Sequence, residues 1–222
     1  MCVFFGNFAY DMLKLPKIVV LLVAVIVLSC SQPKAKTDNS AYMLSLTMDK
    51  ELGHDSATLY IVDDIYRCLK FGGLAVAQPG EPFTWQGHID GAKAAFVVVD
   101  RDSIPFYFVL EPGEVNITMH VDRWMITGGH HNNHYMHFLN IRQGIIDAQA
   151  SNFQEYLRHA ADSTLTQVME ADYVRRDSLL NDSLQQYVAW RMSTEGPVAL
   201  IVRERFYKTL TGAYQQRVAD LK

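Results

Sequence analysis

The sequence predicts an α+β protein in which an antiparallel β-sandwich or barrel is followed by a helical C-terminal region. Residues 42–128 contain short segments in which apolar and polar side chains alternate, and turn residues separate these segments. Residues 129–222 instead carry hydrophobic side chains at helical spacing, and no proline occurs between Pro112 and Pro197. A third pattern, an apolar segment near the N-terminus, marks a part of the chain outside this fold.

The composition fits a folded domain and excludes several classes of protein. The chain has 222 residues, of which 49% are hydrophobic and 20% are charged, and its net charge is −4. Without a block of Lys and Arg, nucleic acid is not expected as the main partner. Three cysteines are too few for a disulfide scaffold or a multi-cysteine zinc finger. No Gly-rich phosphate loop follows a predicted strand, and we expect no cofactor.

The first part of the chain has the pattern of a targeting segment. The eleven residues from Ile18 to Leu28 are all apolar, and Lys14 and Lys17 precede them. A membrane span needs about 20 such residues, whereas about 7–15 suffice for the core of a signal peptide. The run ends in Val27-Leu28-Ser29-Cys30, which resembles the lipobox of bacterial lipoproteins.

We therefore predict a lipoprotein signal peptide over residues 1–29 and a lipidated Cys30. Residues 30–41 are polar and are predicted to form a flexible tether. Because Ser31 follows the cysteine and no acidic run comes after it, we expect a lipid-anchored protein of the cell envelope, in the outer membrane and facing the periplasm.

The strand-rich part, residues 42–128, is predicted element by element from alternation and turn signals. Gly72-Gly73 is predicted to be the turn of a hairpin, as paired glycines often are. The runs 94–99 and 106–110 are almost wholly apolar, which indicates strands covered on both faces. The predicted strands are 42–48, 57–62, 66–71, 74–77, 83–89, 94–99, 106–110, 115–121 and 124–127.

The helical part, residues 129–222, is predicted to begin at Asn132-Asn133, where either amide side chain would cap the first turn. Apolar residues then recur at helical spacing as far as Tyr187-Val188, which predicts one or two long amphipathic helices. Gly196-Pro197 interrupts the pattern, since proline favours the first turn of a new helix. A last helix is predicted from Val198 to about Leu221.

A series of motifs resembles a known family. The series resembles the N-terminal domain catalogued as domain of unknown function 4369, which occurs in lipoproteins of Gram-negative gut-type anaerobes. The resemblance covers roughly residues 42–140. The motifs are, in order, Tyr42-x-Leu44-x-Leu46, Ala57-x-Leu59-Tyr60-Ile61, Phe83-x-Trp85-x-Gly87-x-Ile89, Pro105-Phe106-x-Phe108-x-Leu110-Glu111-Pro112-Gly113, Val115-Asn116-Ile117-Thr118, Ile126-Thr127-Gly128 and Asn132-Asn133.

The helical part continues this resemblance. In the family, the domain often precedes a membrane-anchored thioredoxin-like domain, and Gly196-Pro197-Val198-Ala199-Leu200 is similar to the connector that leads into it. This chain has no Cys-x-x-Cys, so the redox activity of that domain is not expected here. For this chain, the resemblance therefore implies the accessory module of such proteins without its enzyme.

The histidines after Gly128-Gly129 are the most conspicuous candidate site. On a helix that begins near Asn132, His134 and His137 are three residues apart and face one way. His130 could fold back from the preceding loop, so that three imidazoles could hold zinc or copper. The alternative is an exposed helix start whose histidines are only polar surface residues.

Catalytic residues are not predicted from the sequence. The acidic pairs Asp63-Asp64 and Asp100-Arg101-Asp102 are interpreted as solvated turn residues, and Cys68 is interpreted as a small buried hydrophobic residue.

Three functions remain open from sequence alone. The first is a non-catalytic binding or scaffolding module at the membrane, with a thioredoxin-like protein in trans as a candidate partner. The second is a ligand-binding protein or an enzyme with an aromatic cleft between sheet and helices. The third is metal binding through the histidines. Strand aromatics more often form core or cross-strand pairs than a groove; those considered are Phe83, Trp85, Phe106, Tyr107 and Trp124.

Overall fold

Eight strands precede four α-helices within residues 39–62, 69–78, 80–100 and 105–220, which are the residues that the computed structural model describes. The α+β fold class is confirmed. Two 3-10 turns, Lys50–Leu52 and Tyr207–Thr209, complete the secondary structure. The strands are β1 Ala41–Met48, β2 Ser56–Val62, β3 Leu69–Val76, β4 Phe83–His88, β5 Lys93–Val99, β6 Phe106–Leu110, β7 Gly113–Met119 and β8 Trp124–Thr127. The helices are α1 His130–Ala161, α2 Gln167–Ser193, α3 Pro197–Phe206 and α4 Gly212–Ala219.

Some predictions fall on residues outside the described ranges and stay predictions. They concern the signal peptide, Cys30 with most of the tether, Asp63, Asp64, Cys68, Arg101 and Asp102. No helix in the described ranges combines the length and the apolar composition that a bilayer span requires.

The strands form two separate four-stranded sheets rather than a closed barrel. Sheet A has the strand order β4-β1-β7-β8, and sheet B has the order β3-β2-β5-β6. Of the two architectures that the sequence left open, the structure therefore has the open, two-sheet one. One strand pair departs from the predicted antiparallel arrangement, because β1 and β7 run parallel, with Leu44 opposite Val115. A parallel pair needs a long crossover, and here the strands of sheet B lie in the chain between β1 and β7.

The core lies between the sheets and continues under the helices. Strand β1 alternates strictly, so that Leu44 and Leu46 are fully buried while their neighbours are more exposed. In β5 and β6 both faces contribute buried residues, because α3 covers the side of sheet B that faces away from sheet A. Ala94 and Val109 are therefore buried alongside Val97 and Phe108. This bears out the prediction that these two runs are covered on both faces.

The predicted hairpin at Gly72-Gly73 is wrong, because both glycines lie inside the single strand β3. Gly73 pairs with Leu59 and Phe71 pairs with Tyr60, so Gly72 is an extra residue, a β-bulge. A Cβ at Gly72 would lie 2.6 Å from the Cγ of Leu59, which is fully buried. The tight packing explains why Gly72 is a glycine. Bulges and turns both favour glycine, so the paired glycines alone do not distinguish the two.

Helix α1 begins at His130, two residues before the predicted start. Asn132 is therefore not a cap but a fully buried residue of the first turn. Its side-chain oxygen accepts a hydrogen bond from the Val109 N–H at 2.8 Å, and its amide nitrogen donates to the Val109 carbonyl, also at 2.8 Å. Because β6 is an edge strand of sheet B, Asn132 supplies hydrogen bonds that a further strand would otherwise make.

Glu111 and two glycines also contribute to the contact between β6 and α1. We call this contact, which includes the Asn132–Val109 hydrogen bonds, the joint between β6 and α1. The Glu111 carboxylate accepts a hydrogen bond from the His131 N–H at 3.0 Å, where the free N–H groups of a helix start favour an anion. Gly128 and Gly129 both have positive φ angles. A Cβ on Gly129 would lie 2.1 Å from a Glu111 side-chain oxygen, and one on Gly128 would lie 2.1 Å from the Glu114 carbonyl.

The helices after α1 pack through aromatic contacts, and the predicted last helix is divided in two. Phe138 of α1 stacks on Tyr187 of α2 with ring centroids 5.3 Å apart, and its ring lies 5.9 Å from that of Phe206 in α3. The break between α3 and α4 is held by Gln185 of α2, which donates to the Thr209 carbonyl and accepts from the Thr211 N–H. The break that Gly196-Pro197 predicted before α3 is present.

Replacing Asn132 with alanine is predicted to destabilise the fold by about 2–4 kcal/mol, since two buried backbone groups of Val109 lose their partner. Urea unfolding monitored by circular dichroism measures this change. Asn133→Ala is the matched control: Asn133 is the adjacent, exposed residue of the same helical turn, and its replacement should cost less than about 0.5 kcal/mol. Equal losses in the two variants would contradict the role given to Asn132.

Candidate functional site

A row of four aromatic rings crosses the outer face of sheet B, the face that points away from sheet A. Phe71 of β3, Tyr60 of β2, Phe96 of β5 and Tyr107 of β6 follow one another across the sheet. Their successive ring centroids are 6.3, 5.1 and 5.3 Å apart. Cross-strand aromatic pairs stabilise a sheet, and here the row also forms an apolar surface that passes from the strand edge to the helices.

The bulge at Gly72 extends this apolar surface along β3. Leu69 and Phe71 stand before the bulge, and Leu74 and Val76 stand after it. Because of the extra residue, all four lie opposite alternate residues of β2 and share the outer face. Each of the four side chains is more than half exposed. We refer to Leu69, Phe71, Leu74 and Val76, together with Tyr60, as the β3 surface.

A cleft of about 680 Å³ continues from the β3 surface to the helices. Its floor is the outer face of sheet B, and α3 and α4 form its other wall. This volume lies in the range of small-molecule sites, which is about 300–1,000 Å³. Apolar and aromatic side chains form most of the lining, and the charged ones lie on α3 and just after it. The lining includes Phe96, Tyr107, Leu200, Glu204, Lys208 and Val218.

The polar groups at this cleft are suited to binding. Burial raises the pKa of the Tyr107 hydroxyl, and the nearby Glu204 carboxylate raises it further, while Arg205 acts in the opposite direction. Tyr107 is therefore a neutral hydroxyl at physiological pH, able to donate or accept a hydrogen bond. Two contacts fix the position of the Arg205 side chain. Its Nη1 donates a hydrogen bond to the buried Tyr135 hydroxyl at 2.6 Å, and its guanidinium carbon lies 5.0 Å from the Phe206 ring centroid.

Of the aromatic residues considered from the sequence, Tyr107 alone lines this cleft. Phe83 and Trp85 are buried core residues whose rings stack on each other, and the Trp85 indole N–H donates to the Gly73 carbonyl at 3.2 Å. Phe106 and Trp124 meet edge to face instead, with centroids 6.1 Å apart. Sequence reasoning missed Tyr60, Phe71 and Phe96, because only the register of the strands shows that these rings are neighbours.

The structure brings together two of the three candidate metal-binding histidines. The Nε2 atoms of His130 and His134 lie 3.0 Å apart on the exposed side of α1. His137 is also exposed. Within the described residues, no group of three or more His, Cys, Asp or Glu side chains is arranged to hold a metal ion. His131, which was not a candidate, directs its Nδ1 to the Glu111 carboxylate at 3.0 Å.

The acidic residue Asp100 follows β5 and ties the loop before β2 to the sheet. Its carboxylate is hydrogen-bonded to the His54 ring, and it accepts a hydrogen bond from the Ser56 hydroxyl at 3.2 Å. The hydrogen bond from His54 is the main reason that the pKa of Asp100 lies below its ordinary value. Asp100 is thus a structural turn residue, as interpreted from the sequence, with defined partners rather than water alone.

Asp100→Asn is predicted to destabilise the protein at pH 7 and to have a smaller effect in acid. Because the folded pKa is lowered, the stabilisation is complete above the unfolded value of about 4 and is lost as the pH falls through the folded value. Asparagine also tolerates the positive φ of this position. Urea unfolding at pH 7 and pH 3 measures the change in the free energy of unfolding. Asp90→Asn is the control, because Asp90 is an exposed residue in a different turn. A difference from wild type that grows toward pH 3 would contradict this account.

Comparisons with known proteins do not assign the chain to a family. No family model matches the sequence, and no curated protein matches it. The resemblance to domain of unknown function 4369 therefore stays a prediction from the motifs. The β3 surface and the adjoining cleft, as the structure describes them, are the basis for a functional proposal.

Proposed function

We propose that the protein is a lipid-anchored binding module of the cell envelope that recruits a protein partner through the β3 surface. One observation carries this proposal: a continuous apolar surface of five side chains stands on the outer face of sheet B. Phe71 is 63% exposed and Val76 is 74% exposed. Contiguous apolar patches on a soluble domain mark interaction sites, because covering them removes apolar area from water.

The chemistry beside this surface favours a protein with an apolar patch and an acidic rim. Lys208 lines the same cleft as Leu69 of the β3 surface. A lysine beside an apolar surface attracts a carboxylate on the rim of a partner and repels basic surfaces. The aromatic rings of Tyr60 and Phe71 supply large contact areas with few rotatable bonds, as anchor residues of protein interfaces do.

The groups in the cleft support binding rather than catalysis. Glu204 lies on α3 and Lys208 lies in the 3-10 turn that follows it, and both side chains line the cleft. The raised pKa of Tyr107 keeps its hydroxyl protonated at physiological pH, so little tyrosinate is present to act as a general base. The volume of the cleft does favour a second candidate function, the carriage of a small apolar ligand.

The location is proposed from the N-terminal segment. A short apolar run that ends at Cys30 fits a lipoprotein signal peptide, and two or three acyl chains would hold the mature protein on the membrane. We propose the periplasmic leaflet of the outer membrane. A tether over residues 30–41 would let the domain reach partners near that surface, and a thioredoxin-like protein is the partner class that the family resemblance suggests.

Partner capture is predicted to fall about tenfold or more in Phe71→Glu, because a carboxylate at the centre of the β3 surface must be desolvated on binding. A photo-crosslinking residue at Val76 of the full chain, activated in native membranes, measures the yield of the crosslinked partner. Phe153→Glu is the matched control, since Phe153 is 59% exposed but lies on α1.

Three outcomes of this crosslinking experiment would contradict the proposal. They are an equal loss in both variants, no loss in Phe71→Glu, and no reproducible crosslink in wild type. Purification of the wild-type chain with a bound small molecule but no crosslinked protein would instead support ligand carriage. Circular dichroism of both variants separates lost binding from lost folding.

Cys30→Ser is predicted to release the protein from the membrane fraction, since each buried methylene of an acyl chain contributes about 0.8 kcal/mol to anchoring. Mass spectrometry of the N-terminal peptide measures acylation directly. Cys68→Ser removes the other cysteine that would remain after cleavage and should leave both anchoring and acylation unchanged. An unmodified Cys30 in an uncleaved chain would refute the proposed location without bearing on the β3 surface.

A further inference from the structure

His130 and His134 are one helical turn apart on α1, and their rings lie close together. The Nε2 atoms lie 3.0 Å apart, the ring centroids 4.5 Å apart, and the ring planes meet at 84°. Both side chains are exposed, so no packing against the core forces the contact. Without a bound ion, one Nε2–H donates a hydrogen bond to the other Nε2 lone pair.

We propose that this pair chelates a divalent transition-metal ion, and that Cu²⁺ is the ion it fits best. Metal–imidazole bonds are about 2.0–2.1 Å long, so two ligands at a right angle have nitrogens about 2.9 Å apart, whereas two at the tetrahedral angle have them about 3.4 Å apart. The 3.0 Å separation of the two Nε2 atoms is close to the right-angled value. Square-planar and tetragonal geometry is typical of Cu²⁺ and Ni²⁺, and Cu²⁺ binds nitrogen ligands more strongly.

The protonation change that binding requires is small. A metal ion takes the lone pair of each Nε2, so each neutral ring must carry its hydrogen on Nδ1. The ring that donates the hydrogen bond moves its hydrogen from Nε2 to Nδ1, and both rings keep zero charge. The exposed Nδ1–H groups then donate to water.

The contacts of the neighbouring side chains show which residues are available to coordinate the metal ion. His131 lies beside the pair, with its ring centroid 5.6 Å from that of His130, but its Nδ1 is directed to Glu111. The Glu111 carboxylate in turn accepts the His131 backbone N–H, so it serves the helix start. The site therefore supplies two imidazoles, and water fills the other positions. The free N–H groups of the first helical turn oppose a cation there, which keeps the affinity moderate.

This site does not depend on the proposed partner binding, because it lies on α1 and not on the β3 surface. The structure also reduces the three candidate histidines of the sequence to the pair His130 and His134. His137 has the exposure and the helical spacing of a ligand, yet the close nitrogen contact is between His130 and His134. The three histidines thus provide both the test variants and their control.

The test is titration of the full chain with Cu²⁺, followed by calorimetry and by electron paramagnetic resonance. A background in which Cys2, Cys30 and Cys68 are all replaced by serine removes the thiols that would compete for copper. We expect one site with nitrogen hyperfine splitting from two imidazoles. His130→Ala or His134→Ala should weaken it by about tenfold or more, since losing a direct ligand costs at least as much as losing a supporting group. His137→Ala should bind as the background does, and Ni²⁺ and Zn²⁺ should bind more weakly than Cu²⁺.

Three results would overturn this assignment. They are unchanged affinity in His134→Ala, an equal loss in His137→Ala, and tighter binding of Zn²⁺ than of Cu²⁺. Circular dichroism of each variant without metal shows whether α1 remains folded, so a loss of affinity is attributable to the missing imidazole.

Discussion

The amide of Asn132 joins the two halves of this protein at the edge of a sheet. Strand β6 ends sheet B, and an edge strand has N–H and carbonyl groups that need partners. The Asn132 side chain forms hydrogen bonds with both the N–H and the carbonyl of Val109, and it also donates to the Gly128 carbonyl at 3.2 Å. Water has no access to this buried position, so the alternative to these bonds is unpaired polar groups in the core.

This joint determines which part of sheet B the helices cover. Helix α1 starts beside β6, and α3 returns to pack on β5 and β6, where Arg205 reaches the Tyr135 hydroxyl of α1. The half of the outer face that belongs to β2 and β3 carries Tyr60 and the apolar residues of β3. The same contacts that close the core over one half of the sheet thus leave an apolar surface on the other half, next to the cleft. The functional proposal follows from this division of the sheet.

The sequence was informative wherever a local pattern decides the structure. Alternation predicted most strands, and the change to helical spacing after Gly128-Gly129 predicted the transition to helices. The failures occurred where one residue type serves two purposes. Paired glycines form turns, but Gly72 is a bulge that avoids Leu59. Asparagine caps helices, but Asn132 pairs with a strand. Neither difference can be seen without the residues packed opposite.

The candidate site was less predictable, because it depends on contacts between distant segments. The parallel pairing of β1 with β7 and the register of β2 on β3 are both long-range facts. Tyr60, Phe71 and Phe96 are unremarkable strand aromatics in the sequence, and only the register shows them as one row. The sequence predicted that His134 and His137 share one helix face, whereas the close nitrogen contact in the structure is between His130 and His134.

The central claim is that the β3 surface is covered by a partner in the cell. Carbene footprinting tests it most directly, by labelling exposed side chains in native membranes and in the purified protein. The account predicts that residues 69–76 are labelled far less in membranes than in the purified chain, while Phe153 is labelled equally in both. Equal labelling of residues 69–76 in the two samples would contradict it.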